Sequence, residues 1–191
     1  MLKSGTLMDL KKEISACDLC RNELPFAPRP ILQFHSASEL LLVGQAPGLR
    51  AHESGIPWND ASGIRLREWL CVSEKDFYNP KKISIVPMGF CYPGKNKSGD
   101  LPPRKECQIR WMDSILSELK LVKKIILVGN HATTYFLGPG KLASQIREHA
   151  NNDSPFVVLP HPSPRNFIWL NQNPWFEKEA LMRIRNKLYR K

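Results

Sequence analysis

No run of apolar residues in this 191-residue chain approaches the roughly 20 that a membrane-spanning helix needs. The opening residues Met1-Leu2-Lys3-Ser4 lead into no long apolar stretch of the kind a secretory signal carries, so the expected location is cytoplasmic. Acidic side chains are scarce. Eighteen Asp and Glu stand against 28 Lys and Arg, a net charge of +10. That field repels cationic partners and attracts polyanions, above all nucleic acid, by neutralising phosphates and releasing counterions. A merely basic surface is the plainer alternative. Cysteine is sparse too: five thiols in a cytosolic chain argue against a disulfide scaffold. No internal repeat, linker or low-complexity tract breaks the sequence, so residues 1–191 read as one domain with one core.

What is present is an alternation. Short apolar runs bounded by turn residues predict strands at 40–43, 83–86, 124–128 and 156–159. Between them, helical spacing predicts helices at 63–71, 106–119, 131–137 and 141–149, with a short one near 7–16 and a terminal one near 174–189. Pro174 suits the first position of that last helix. Strand and helix in alternation argue an α/β fold with a parallel sheet and helices on both faces.

The loops after those strands would gather along one sheet edge, where open α/β folds bind ligands. Two of them carry chemistry: Gly44-Gln45-Ala46-Pro47-Gly48 after the first strand, and His161-Pro162-Ser163-Pro164-Arg165-Asn166 after the fourth. The others are 87–91 and 129–131. Basic residues cluster twice. Lys95, Lys97, Arg104 and Lys105 sit in a Gly/Pro-rich loop, the better candidate for a nucleic-acid contact. Arg183, Arg185, Lys187, Arg190 and Lys191 interleave with Leu181, Ile184 and Leu188 at helical spacing, which predicts a solvated face.

Cys17 and Cys20 form C-x2-C after the first helix, and Cys91 and Cys107 flank the basic loop. Four thiolates in two local pairs are what a structural Zn²⁺ or a [4Fe–4S] cluster requires. Ordinary buried thiols are the alternative. Cys71 follows Leu66, Trp69 and Leu70 and reads as a core residue.

In these segments the chain resembles the uracil-DNA glycosylase superfamily, most closely its iron–sulfur branch, often called family four. Gly44 to Gly48 matches that branch's Gly-Glu-Ala-Pro-Gly, with Gln45 in place of Glu. Gly55, Pro57 and Gly63 fall on its glycines and proline, and Trp58 on the Phe that stacks against the flipped base. His161-Pro162-Ser163 matches the second motif, and C-x2-C followed by C-x15-C is similar to the spacing of its cluster ligands. The resemblance implies a three-layer α/β/α sandwich around a four-stranded parallel sheet. It also implies a [4Fe–4S] cluster in place of zinc on Cys17, Cys20, Cys91 and Cys107. The departures lie at the chemistry. Ala46 stands where the classical uracil-DNA glycosylases carry a water-activating Asp, Pro87 where the branch has an Asn that reads uracil, and His52 where it has an acid.

The function expected is therefore a monofunctional DNA glycosylase of base excision repair, hydrolysing the bond to uracil or another damaged base flipped out of DNA. His161 would donate to the departing base, while Gln45 or His52 would serve the water. Gly44, Ala46, Pro47, Gly48, Trp58, Asp60 and Met88 would shape the base pocket; Asp60 could alternatively serve the water, or simply form a turn. Ser163, Arg165, Asn166, Lys95 and Lys97 would grip damaged or single-stranded DNA, bound by a monomer. Two rivals stand beside it: a binding module that kept the fold and lost catalysis, and a hydrolase of free nucleosides or nucleotides.

Overall fold

Each predicted strand forms where its apolar run lies. The computed structural model describes residues 6–97 and 99–189. Helix α1 (Leu7–Ser15) opens on a reciprocal cap, Thr6 Oγ1 accepting from the Asp9 N–H while the Asp9 carboxylate accepts from the Thr6 N–H. Strand β1 (Leu40–Val43) leads through the 44–48 loop into helices α2 (Leu49–Ser54), α3 (Ala61–Leu70) and α4 (Glu74–Phe77). Strand β2 (Ile83–Ile85) is followed by a small antiparallel hairpin, β3 (Lys95–Asn96) and β4 (Gly99–Asp100). A π-helical turn at Gln108–Met112 runs into α5 (Asp113–Glu118), so the predicted 106–119 helix is not regular throughout. Then come β5 (Lys124–Val128), α6 (Asn130–Leu137), α7 (Leu142–Asn151), β6 (Phe156–Leu159), α8 (Phe167–Gln172) and α9 (Leu181–Tyr189), the last entered through another π turn at Phe176–Ala180.

The four main strands form one parallel sheet in the order β2-β1-β5-β6. Leu42 pairs with Ile85 on one side and Ile126 on the other, and Leu127 pairs with Val158. Leu41, Leu42, Val43, Ile126, Leu127, Val128, Val157, Val158 and Leu159 are all buried, as strands covered on both faces must be. With helices flanking it, the sheet is the centre of a three-layer α/β/α sandwich. The chain steps from β1 to β2 on one side, then crosses back past β1 to β5. That reversal opens a crevice at the carboxyl ends of β1 and β5.

The outer edge of β2 is sheathed. Gln33 exchanges backbone hydrogen bonds with Ile85 at 2.9 and 2.7 Å, and the Ile31 N–H donates to the Phe90 carbonyl at 2.8 Å. This blunts an edge that would otherwise be open to pairing, and it brings the N-terminal segment beside residue 91.

The terminal basic run departs from the expected solvated face. Leu181, Ile184 and Leu188 are buried as their spacing predicts, but two of the cations turn inward. Arg185 donates through Nε to the Trp69 carbonyl and through Nη2 to the Glu68 carbonyl, both at 2.9 Å, satisfying the end of α3. Lys187 Nζ donates to the carbonyls of His149 at 2.6 Å and Phe156 at 2.8 Å, and burial pulls its pKa down to about 8. Arg190 and Lys191 lie outside the described residues. Cys71 is also not a core residue. It is exposed, capping α3 in the left-handed conformation at φ 53°, because the helix ends there.

Candidate active site

A cavity of about 200 Å³ lies at the crevice, walled by the 44–48 loop, residues 57–62, and the loop after β6. It falls below the roughly 300–1,000 Å³ of pockets for drug-sized ligands, which suits a small flat group. Gly44, Gln45, Ala46, Pro47, Gly48, Trp58, Asp60, His161, Ser163 and Arg165 all line it. The Trp58 and His161 ring centroids are 5.6 Å apart, with planes at 36°.

Trp58 is held rather than loosely packed. Its φ of 57° is left-handed, a conformation that bulky side chains avoid and that clusters at functional sites. Two glycines make room for it. A Cβ on Gly63 would stand 1.7 Å from the Trp58 carbonyl oxygen, and one on Gly44 would stand 2.7 Å from Trp58 Cζ2. The same carbonyl accepts a hydrogen bond from the Tyr78 hydroxyl at 3.3 Å, which Arg67 contacts in turn. The indole thus forms a fixed wall.

His161 is positioned by its own loop. The Ser163 N–H donates to Nδ1 at 3.2 Å, so Nδ1 must carry a lone pair and Nε2 the proton. Burial pushes the imidazole's pKa down, against the opposing pull of Asp60 and Asp100. A neutral ring with Nε2–H is a hydrogen-bond donor at neutral pH. The loop is braced by the Asn166 amide, which donates to the His161 carbonyl at 2.9 Å, and by Arg65, which reaches the Pro162 carbonyl at 3.4 Å.

Two expectations need correction. His52 does not reach the cavity. Adjacent helical residues point about 100° apart, so Ala51 lines it while His52 turns away. Its ring stacks 5.0 Å from Phe26, and Nδ1 is buried with no hydrogen-bond partner among the described residues. Met88 is fully buried in the core. Past β2 the Val86 N–H donates to the Leu42 carbonyl and the Met88 N–H to the Gly44 carbonyl, both at 2.9 Å, so the strand's alternation continues to Met88. Alternation therefore puts Ile85 and Pro87 on the cavity and Met88 behind it. Asn166, expected at DNA phosphates, uses one of its two amide N–H groups for the loop brace described above, which leaves the other for such a contact.

The other residues fall as follows. Gln45 donates through Nε2 to the Leu101 carbonyl at 3.3 Å, which leaves its side-chain oxygen available to the cavity. Asp60 caps α3, Oδ1 accepting from the Gly63 N–H at 2.8 Å. Ser163 Oγ accepts from the Arg165 N–H at 3.2 Å. Lys95 and Lys97 are exposed on the hairpin, whose Gly99 lies against the Arg165 guanidinium; a Cβ there would be 2.8 Å from Nη1. Arg104, by contrast, is engaged by Glu23 and Glu106.

Sequence reasoning missed Asp100. It lines the cavity from the hairpin, and its Oδ2 lies 3.5 Å from where a Gly48 Cβ would be. The signal was faint: Asp100 is the one acid between Asp76 and Glu106, in an otherwise basic loop.

Cys17, Cys20, Cys91 and Cys107 line a second, apolar pocket together with Phe90, Pro28 and Pro30. Two short pairs distant in sequence thus meet in space. Burial pushes the Cys91 thiol up to about 11 and the Cys107 thiol to about 12, so ligation there would release protons.

Comparison with known families gives one match: residues 33–185 fit the family model of the Uracil DNA glycosylase superfamily. The match spans β1 to β6, the 44–48 loop, residues 57–62 and the loop after β6. The chain belongs to the uracil DNA glycosylase superfamily, and its function is DNA-glycosylase-like.

Proposed function

We propose that the protein is a monofunctional DNA glycosylase, acting as a monomer on uracil or another damaged base flipped out of DNA. One observation carries the reading. A donor-competent His161 and a rigid Trp58 lie side by side, ring centroids 5.6 Å apart, on the wall of a cavity of about 200 Å³. Cleaving the glycosidic bond builds positive charge on the sugar and negative charge on the base. His161 Nε2–H supplies a hydrogen bond to the base oxygen where that charge develops. Trp58 stacks on the base, worth roughly 1–3 kcal/mol by the scale of aromatic–base contacts. That offsets part of the few kcal/mol needed to extrude it.

The deciding experiment is an oligonucleotide panel, single- and double-stranded, carrying uracil, hypoxanthine or a mismatch, assayed for abasic product. Abasic product from any member supports the glycosylase. The absence of a carboxylate from the 44–48 loop favours a second reading, a binding module without catalysis. Tight, salt-sensitive binding with no abasic product on any substrate would establish that module instead. Arg165, Lys95 and Lys97 are the proposed phosphate contacts. Replacing all three with Gln is expected to lower the slope of log affinity against log salt by roughly 2–3. An unchanged slope would place the DNA elsewhere.

The proposal includes a [4Fe–4S] cluster on Cys17, Cys20, Cys91 and Cys107, tying the N-terminal segment to the sheet and taking no part in bond cleavage. Among the described residues, no three of these sulfurs lie within 4.8 Å of one another. A tetrahedral zinc with Zn–S near 2.3 Å would draw all four to within about 4 Å. N–H donors surround the site, with Phe90 N–H donating to Cys107 Sγ at 3.4 Å and the Arg29 backbone to Cys91. Protein purified anaerobically is expected to be brown, absorbing broadly near ~400 nm with about four irons per chain, and Cys107→Ser to lose both colour and stability. Colourless protein without metal would defeat the assignment.

A further inference from the structure

We propose that Asp100, carried to the rim of the cavity by the β3–β4 hairpin, holds and deprotonates the water that attacks the sugar. The inference rests on the glycosylase reading above. A base that stacks on Trp58 and accepts from His161 beside it occupies the depth of the cavity, so the sugar carbon bonded to it lies toward the mouth. Water must approach that carbon from the side away from the departing base. The group that receives its proton therefore belongs at the rim.

Among the described residues, two carboxylates line the cavity, Asp60 and Asp100. Asp60 is half-buried, and one of its oxygens is committed to the α3 cap. Asp100 is exposed at the mouth beside the Gly48 backbone, and among the described residues it is in no ion pair or side-chain hydrogen bond. Its location is otherwise unfavourable. A negative charge next to Arg165, on the face that meets phosphates, opposes the binding that the rest of a +10 chain promotes.

In the step, the water oxygen bonds to the sugar carbon as the carbon–nitrogen bond breaks. The bonding pair leaves on the base, whose oxygen His161 hydrogen-bonds. One water proton passes to the Asp100 carboxylate and on to solvent, and the released base anion takes a proton from solvent.

The test is single-turnover excision by Asp100→Asn, Asp100→Glu and Asp60→Asn, on whichever oligonucleotide the unmodified protein cleaves. Binding to the same sequence carrying an uncleavable analogue is measured in parallel, with circular dichroism to confirm folding. Asp100→Asn is expected to lower the rate about 10²–10⁴-fold while affinity is unchanged or tighter. Asp100→Glu restores part of the rate, and Asp60→Asn, which keeps the helix cap, costs less than Asp100→Asn. An Asp100→Asn rate within threefold of the original, or above it, overturns the proposal, because a merely repulsive charge would behave that way. A larger loss at Asp60→Asn moves the role to that residue. An original protein that binds DNA but releases no base removes the glycosylase reading and this one with it.

Discussion

Replacing His161 with alanine is expected to slow base excision about 10²–10³-fold in single turnover, the cost of losing one donor aimed at developing charge, about 2.7–4 kcal/mol. Binding of the same DNA should change little, since His161 contacts the base inside the cavity while the proposed phosphate contacts are Arg165, Lys95 and Lys97. The separation matters. A residue that merely shaped the loop would weaken both. The Ser163 N–H bond to Nδ1 adds a pH signature. Burial holds the imidazole neutral below its ordinary range, and protonating Nδ1 would set an N–H against an N–H. The active arrangement should therefore persist as pH falls through the usual histidine range and fail only below the depressed value. Excision by His161→Ala at the original rate would remove this residue from the chemistry.

Gly63→Ala carries the second large effect, although it alters no group that touches a base. The added methyl would stand 1.7 Å from the Trp58 carbonyl oxygen, and a backbone atom cannot step aside as a flexible side chain can. Overpacking costs 1–3 kcal/mol in ordinary cores, and this contact belongs at the upper end, about 3 kcal/mol. For a chain of this size that lowers Tm by roughly 6–12 °C. Excision should fall as well, because the peptide that displaces is the one holding the indole at a left-handed φ. Gly44→Ala makes the informative contrast. Its methyl would meet the ring at Cζ2, 2.7 Å away, and a ring can tilt. It should spare more stability than Gly63→Ala while still closing the base site. Gly63→Ala with unchanged Tm and rate would mean that Trp58 is not held as described.

These two residues show how far the sequence could be read. Apolar runs bounded by turn residues encode strands locally, so β1, β5 and β6 form at the predicted bounds. Once the strands are parallel, the loops that follow them must share an edge, which brings His161 to the 44–48 loop without further information. The hairpin was illegible, because strands of two residues carry no periodicity; Asp100 went with it. His52 and Met88 failed for a different reason. Both lie within a few residues of the cavity, but a helix turn and a strand alternation decide which neighbour faces it.

The amino-acid order alone determined the strand sequence, the sheet edge that carries the site, and the meeting of an imidazole with an indole there. These follow from short-range patterns and from the geometry that any parallel sheet imposes. Only the tertiary structure decided which acid stands at the rim, that Arg185 and Lys187 satisfy buried carbonyls rather than face water, and that four distant thiols share one pocket. Those outcomes depend on where segments far apart in the chain come to rest, and no local repeat or propensity records that.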